Sequence, residues 1–553
     1  MQKKYNHYLL LLILLFSFFI RIWKIDAAPA SLNWDEVSHG FNAYSILTTG
    51  KDEWSESFPA IFRAYGDYKL PVYVNLVAIS ESLFGLNPFS VRLPSILAGC
   101  ITVLFSYLLV KKLFKKEEIA LLTALLVAIE PWNLFLSRAA LEANVALALI
   151  VSGVYFLLSG LEKKNCSLLL GIALFGLSVW TYNSARIFIP LLLIALTLIH
   201  KTEFYKIVKS SKSLATFYML LAIVFLVPMF IQVSSGVGLA RYESVQILND
   251  TAIGRIGELR SNLSFDESVE RLLFNKATYF AGQFTVNYLK HFSPEFLYLK
   301  GGDNYQFNIP NIGLLYLVNA PFLVLGIWRL FKQHGGKKYG KLIIAWLLIA
   351  PVASSLTEGA PHTLRSIVML PIPMILTALG ASYVFSRLAK FRWLFVVFAL
   401  LLFVSFADYF NIYLSSYRVN YSWVWQYGYR QAVDFIKTNY NKYEKIVITK
   451  KYGEPHEFVL FYWPWDPSRF QNQDKTRYYQ SNWYWVDKFD KFYFVNDWDI
   501  PKVGSEFALE SGGTFDCASC LLVTSPGNAP ENWKKIETIN FLDGKIAFEI
   551  YEH

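Results

Sequence analysis

Asp35 and Glu36 stand side by side in the stretch Asn33-Trp34-Asp35-Glu36, shortly after the first apolar run of the chain. A carboxylate there is suited to general-base work, because a hydroxyl is a poor nucleophile until a base withdraws its proton. Cations occupy comparable places. Lys69 lies in Tyr65-Gly66-Asp67-Tyr68-Lys69-Leu70-Pro71, and Arg138 precedes Glu142. Arg365 ends Glu358-Gly359-Ala360-Pro361-His362-Thr363-Leu364-Arg365. Arginine offers a phosphate two parallel hydrogen bonds, and lysine offers it a point charge. Each residue also has a plainer use. Asp35 could cap a helix, and Glu36 could be a first-turn acid favoured by the helix dipole. Lys69 could simply be solvated. Arg138 and Glu142 could form a helical pair worth about 0.2–0.5 kcal/mol. His362, Arg365 and Arg186 could be anchors at lipid headgroups. All of them fall at the same end of apolar segments, where ionisable groups are costly and commonly functional, which points to a shared site.

Those segments dominate the chain. Its 553 residues are 54% hydrophobic, 17% aromatic and 17% charged, with a mean hydropathy of +0.33. A soluble domain carries about 25% charged residues, and a disordered chain is polar and poor in aromatics. Both classes are excluded. A membrane-crossing helix needs roughly 20 mostly apolar residues. Runs of that kind fall at 8–23, 91–110, 119–136, 139–161, 167–182, 187–199, 214–233, 312–331, 342–356, 366–385 and 393–414. About 11 transmembrane helices are therefore expected, the first an uncleaved anchor: Arg21 and Lys24 separate its apolar run from the cleavage-like Ala28-Pro29-Ala30.

Cations set the expected orientation. With the N-terminus inside, the inner loops hold Lys111, Lys112, Lys115 and Lys116, then Lys163 and Lys164, then Lys201, Lys206, Lys209 and Lys212. Lys332, Lys337, Lys338 and Lys341 follow, and then Arg387, Lys390 and Arg392. The short outer loops hold one cation each, Arg138, Arg186 and Arg365. By the positive-inside rule this is a multi-pass protein of the cytoplasmic membrane. The same rule accounts for the net charge of +10, and no nucleic-acid partner is expected. The domains read as a membrane domain over 1–414, with large external loops at 25–88 and 234–311, and an external domain over 415–553.

That last piece has its own character. An amphipathic stretch at 425–437 precedes the β-branched run Lys445–Thr449; residues 457–462 read as helix or strand, and 491–495 and 520–524 as strands. Helices alternating with strands predict a small extracytoplasmic α/β domain. Cys517-Ala-Ser-Cys520 is too small a set for a zinc site, which wants about four ligands, and outside the cell it reads as a local disulfide. No strong metal motif is present. A divalent cation is possible, with Glu358 and His362 as two ligands.

The acidic pair after the first span resembles the first-loop motif of the GT-C membrane glycosyltransferases, which include protein O-mannosyltransferases and the lipid A aminoarabinose transferase. Lys69-Leu70-Pro71 resembles that family's Lys-Pro-Pro-type element, with Leu70 as the departure. Asn87-Pro88-Phe89-Ser90-Val91-Arg92-Leu93-Pro94 resembles the start of the second span in bacterial members, and Pro361–Ser366 a late turn in the same group. The resemblance implies a GT-C-like membrane domain that transfers a sugar from a polyprenyl-phosphate-linked donor to an acceptor hydroxyl of a lipid, glycan or protein. Asp35, with Glu36, would be catalytic. Lys69, Arg138, Glu142, His362 and Arg365 would bind substrate, Glu142 by holding the sugar or orienting a cation. Inversion in a single displacement is implied. The rival classes are a transporter and a lipid-carrier flippase or binding protein. A transporter places its charges near the midplane of two matching halves, whereas here they lie at span ends.

Overall fold

The computed structural model describes residues 2–66, 68–163, 166–210, 212–234, 240–261, 266–388, 390–391 and 393–553. Asp67, Lys164 and Arg392 of the sequence reading lie outside the described residues. The chain forms two compact units. One comprises Met1–Ile22, Ser95–Ser137 and Leu141–Tyr409, and the other Trp23–Pro94, Arg138–Ala140 and Phe410–His553.

The first unit is helical. Every expected apolar run falls on a helix or a broken pair of helices. In lipid the backbone must satisfy its own polar groups, and a helix does so within one segment. Among the described residues, six helices have the length and composition to cross a bilayer: Tyr5–Ile22, Pro88–Phe114, Glu142–Glu162, Thr216–Ser234, Ile367–Arg387 and Trp393–Asn420. Asn183–Ile199 and Lys201–Lys209 qualify together but are bent by 82°. The other expected spans are shorter or interrupted. Glu130 and Pro131 divide Glu117–Ile129 from Pro131–Leu136. Pro351 separates Lys338–Ile349 from Val352–Ser355.

Leu12 and Leu15, Val224, Phe230 and Ile231, and Val396, Leu400 and Phe403 are exposed on their helices. Apolar surface of that extent needs a lipid or protein partner. Two buried charged side chains in this unit are held by hydrogen bonds. Arg21 donates to Ser17 Oγ at 2.7 Å, to Ala128 O at 3.0 Å and to Asn133 Oδ1 at 2.6 Å. Glu130 accepts from the Tyr316 N–H at 2.9 Å and from the Asn319 amide. Helices Ala320–Arg329 and Ile372–Arg387 approach so closely that a Cβ on Gly326 would meet Leu376 O, and one on Gly380 would meet Phe322 O. Such small-residue contacts are typical of packing in membranes.

The second unit holds the segment that follows the first helix and the C-terminal domain. Its strands are β1 (Phe62–Arg63), β2 (Tyr68–Lys69), β3 (Lys445–Thr449), β4 (Lys475–Gln480), β5 (Trp483–Phe489), β6 (Phe492–Val495), β7 (Glu506–Ala508), β8 (Thr514–Asp516), β9 (Cys520–Thr524), β10 (Lys534–Asn540) and β11 (Ile546–Glu552). Seven form one sheet, ordered β10-β11-β9-β3-β6-β5-β4. The pairs β3–β6 and β3–β9 are parallel and the rest antiparallel. The central strands β3, β6 and β9 are buried almost throughout, as continuous apolar runs covered on both faces should be. One face carries Val447, Phe507, Leu522 and Trp533. Helices Tyr429–Asn439 and Pro455–Tyr462 supply Val433, Ile436, Phe458 and Phe461. The expected α/β domain is present, residues 457–462 resolve as helix, and Cys517 and Cys520 are disulfide-bonded.

Candidate active site

The helix Trp34–Thr49 opens with a capping box. Asn33 Oδ1 accepts from the Glu36 N–H at 2.9 Å, and Glu36 Oε2 accepts from the Asn33 N–H at 3.1 Å. Both donors would otherwise be orphans of the first turn. The cap is therefore Asn33, which frees Asp35 of that use. Glu36 does more than complete the box. It is fully buried, and Oε1 also accepts from Arg92 Nε at 2.9 Å and from the Ala140 N–H at 2.8 Å. Oε2 takes a second Arg92 bond at 3.0 Å, while the remaining arginine protons go to Ile25 O and Ser31 O. Its lone pairs are thus committed, so Glu36, read from the sequence as catalytic, acts in this structure as an anchor.

Asp35 differs. Its side chain remains 35% exposed, and Lys69 Nζ lies 2.7 Å from Oδ1. Lys69 is delivered by the β1–β2 hairpin, in which it pairs with Phe62, just before the Pro71-initiated helix Pro71–Phe84. An aromatic wall adjoins the pair. The Tyr65 hydroxyl donates to Trp34 O at 3.1 Å, and its ring stacks on Trp483 at 5.6 Å with planes 19° apart. Burial pushes the Tyr65 hydroxyl far up, so it stays neutral and remains a donor. Gly66 allows this approach, since a Cβ there would meet the Trp483 ring at 2.6 Å. The Trp34 N–H is held by Gln426 Oε1 at 2.8 Å. Trp483 and Gln426 were not singled out from the sequence. Trp483 follows Ser481 and Asn482, which turn the β4–β5 hairpin at positive φ.

Arg138 is fully buried in this same unit. It donates to Trp23 O and Ala28 O, both at 2.8 Å, and lies over the Tyr413 ring at 5.1 Å. Residues 137–141 are not helical, and Glu142 starts the helix Glu142–Lys163. Arg138 and Glu142 therefore do not share a helix.

The other unit holds Glu142, His362 and Arg365. Arg365 donates to Thr357 Oγ1 at 2.8 Å and to Glu358 O at 3.0 Å, and its N–H points to His362 Nδ1 at 3.3 Å. Thr363 fixes this turn through Asn308 at 3.0 Å and through the Trp132 indole, also at 3.0 Å. Glu358 accepts from Asn249 at 2.8 Å. Glu358 and His362, the pair considered for a metal, belong to no group of three close ligands among the described residues. Lys69 and Asp35 are thus brought together, as are His362 and Arg365.

Residues 69–231 match the family described as dolichyl-phosphate-mannose-protein mannosyltransferase. No curated protein matches the chain. Among solved structures, ArnT from Cupriavidus metallidurans bound to undecaprenyl phosphate is 12% identical, with a TM-score of 0.51 over 98% of this chain and 97% of that one. Its apo state gives 12% and 0.52 over 100% and 98%. The archaeal oligosaccharyltransferase AglB from Archaeoglobus fulgidus, in complex with an inhibitory peptide and a dolichol-phosphate, is 14% identical with a TM-score of 0.51. That match covers 83% of this chain but only 64% of AglB. A helical unit, a segment bearing an acidic pair and a C-terminal sheet domain together give this chain a GT-C-like fold, similar to those of ArnT and AglB.

Proposed function

We propose that the chain moves a sugar from a polyprenyl-phosphate-linked donor to an acceptor hydroxyl at the outer face of the cytoplasmic membrane, inverting the anomeric carbon. The observation that carries this reading is the division of the acidic pair: Glu36 is sealed onto Arg92, while Asp35 beside it stays accessible with Lys69 against it. Asp35 is the base. It takes the acceptor proton as the hydroxyl attacks an oxocarbenium-like anomeric carbon. The leaving phosphate gains charge, and preorganised cations stabilise it. Lys69 and Arg365 supply that charge, with His362 beside Arg365. Glu142 contacts the sugar. Glu36 and Arg138 position the segment through Arg92 and the backbone carbonyls of Trp23 and Ala28. About eleven spans, an inner N-terminus and an outer C-terminal domain complete the reading.

The carrier lipids bound by ArnT and AglB support a polyprenyl-phosphate donor. The test is mass spectrometry of envelope glycolipids, glycans and proteins from cells with and without the chain. A sugar modification lost with the chain and restored by it, but not by Asp35→Asn, is expected. Identical profiles would reject the transferase and favour a carrier.

A further inference from the structure

Glu53, His456 and Glu457 form a cluster that the transfer reaction does not use. Glu53 sits in the turn closed by the Lys51–Ser57 bridge, and the other two sit on helix Pro455–Tyr462. All three are buried, Glu457 completely. One imidazole nitrogen and one oxygen from each carboxylate lie within 4.8 Å of one another. His456 Nε2 is 3.8 Å from Glu457 Oε1. Neither oxygen of Glu457 and not Nδ1 of His456 has a hydrogen-bond partner among the described residues. Buried polar groups are normally paired, so the two unpaired oxygens of Glu457, beside His456 Nε2 while Nδ1 stands 3.4 Å from Glu454 Oε2, call for an occupant.

Charge says which kind. If all are ionised, Glu53, Glu454 and Glu457 carry three negative charges, although burial holds each carboxyl above its usual range. Arg477, which donates to Glu53 O at 2.8 Å, returns one, and Lys450 is committed to Asp487. Two positive charges are missing, as one divalent ion would supply. Calcium and magnesium prefer all-oxygen shells, whereas zinc accepts imidazole nitrogen with carboxylate oxygen. A tetrahedral ion with bonds of about 2.0–2.2 Å brings such ligands closer than they stand here, which rotation of the side chains accomplishes. Asn42 already steadies Glu53 as an outer partner should, through Nδ2–Oε1 at 3.1 Å.

We propose that Glu53, His456 and Glu457, with a water as fourth ligand, form a zinc site that pins the first outer segment to the C-terminal sheet domain. The pinned segment includes the helix Trp34–Thr49, from which Asn42 reaches Glu53. The test uses the full-length chain in detergent, with zinc as the probe. Elemental analysis should find one zinc per chain, lost on prolonged chelation. Zinc added back should raise the melting temperature, a measurement that needs no variant and no transfer activity. His456→Gln and Glu457→Gln should each lose the metal and its thermal response. A chain that is metal-free after chelation and melts identically with and without zinc would overturn the site, leaving a cluster of carboxyls neutralised by protons. Zinc bound equally by wild type and both variants would overturn it too.

Discussion

Asp35 and Glu36 are neighbours in sequence and opposites in environment, and substitutions should separate them. Glu36→Gln strips the charge from a fully buried pair and leaves Arg92 uncompensated. Breaking one side of such a pair costs about 3–5 kcal/mol, so a lowered melting temperature and poor yield are expected. Normal thermal melting of Glu36→Gln would mean that Arg92 does not depend on it. Arg365 is tested by Arg365→Lys, which keeps the charge and loses the planar guanidinium whose Nη1 holds both Thr357 Oγ1 and Glu358 O. A charge-assisted contact is worth about 1.5–3 kcal/mol, so donor use should weaken roughly ten- to a hundredfold. If both Arg365→Lys and Arg365→Ala turn over donor normally, Arg365 is a headgroup anchor.

At the level of the elements, the wall beside Asp35 depends on a glycine in another loop. Gly453 has φ of +99°, and a Cβ there would lie 1.9 Å from the Trp34 ring. Gly453→Ala should therefore displace Trp34 as well as strain the backbone. Gly504, with φ of +89° and open space around it, gives the control: its Ala variant carries backbone strain of about 1–2 kcal/mol without the clash. Transfer should fall further in Gly453→Ala than in Gly504→Ala, and equal rates would dismiss the wall. Much at this scale was legible in advance. Lys445–Thr449 and Cys520–Thr524 announce themselves as buried strands because they are short apolar runs bounded by polar residues. Asn33 and Glu36 even spell a capping box, although Asp35 reads as a cap just as well until the backbone is seen. The β4–β5 hairpin was not legible, because Arg477, Tyr478, Trp483 and Trp485 do not alternate between apolar and polar. Glu36–Arg92 and Glu53–His456–Glu457 were not legible either, since distant segments meet there and no local spacing encodes them. The apolar runs foretold where helices form but not their lengths, which Pro131 and Pro351 cut short.

For the whole molecule, the cation asymmetry and an odd number of spans predict that the C-terminal domain lies outside. A reporter fused after the exposed His553 should be active outside the membrane. Activity only in the cytoplasm would contradict that orientation and with it the outer-face reaction. The exposed Leu12, Val224 and Leu400 faces are apolar surface of the kind that lipid or a protein partner covers. Everything then turns on whether Asp35 is the base. The decisive measurement is the rate of sugar transfer from a polyprenyl-phosphate-linked donor by the purified full-length chain and its Asp35→Asn variant, with donor binding and thermal melting recorded on the same samples. Asn33 holds the cap and Glu36 the arginine, so the variant should melt and bind donor like wild type. Its turnover should fall by roughly a hundredfold or more, as expected for a lost general base. Turnover within about threefold of wild type, far inside that general-base range, would contradict the account.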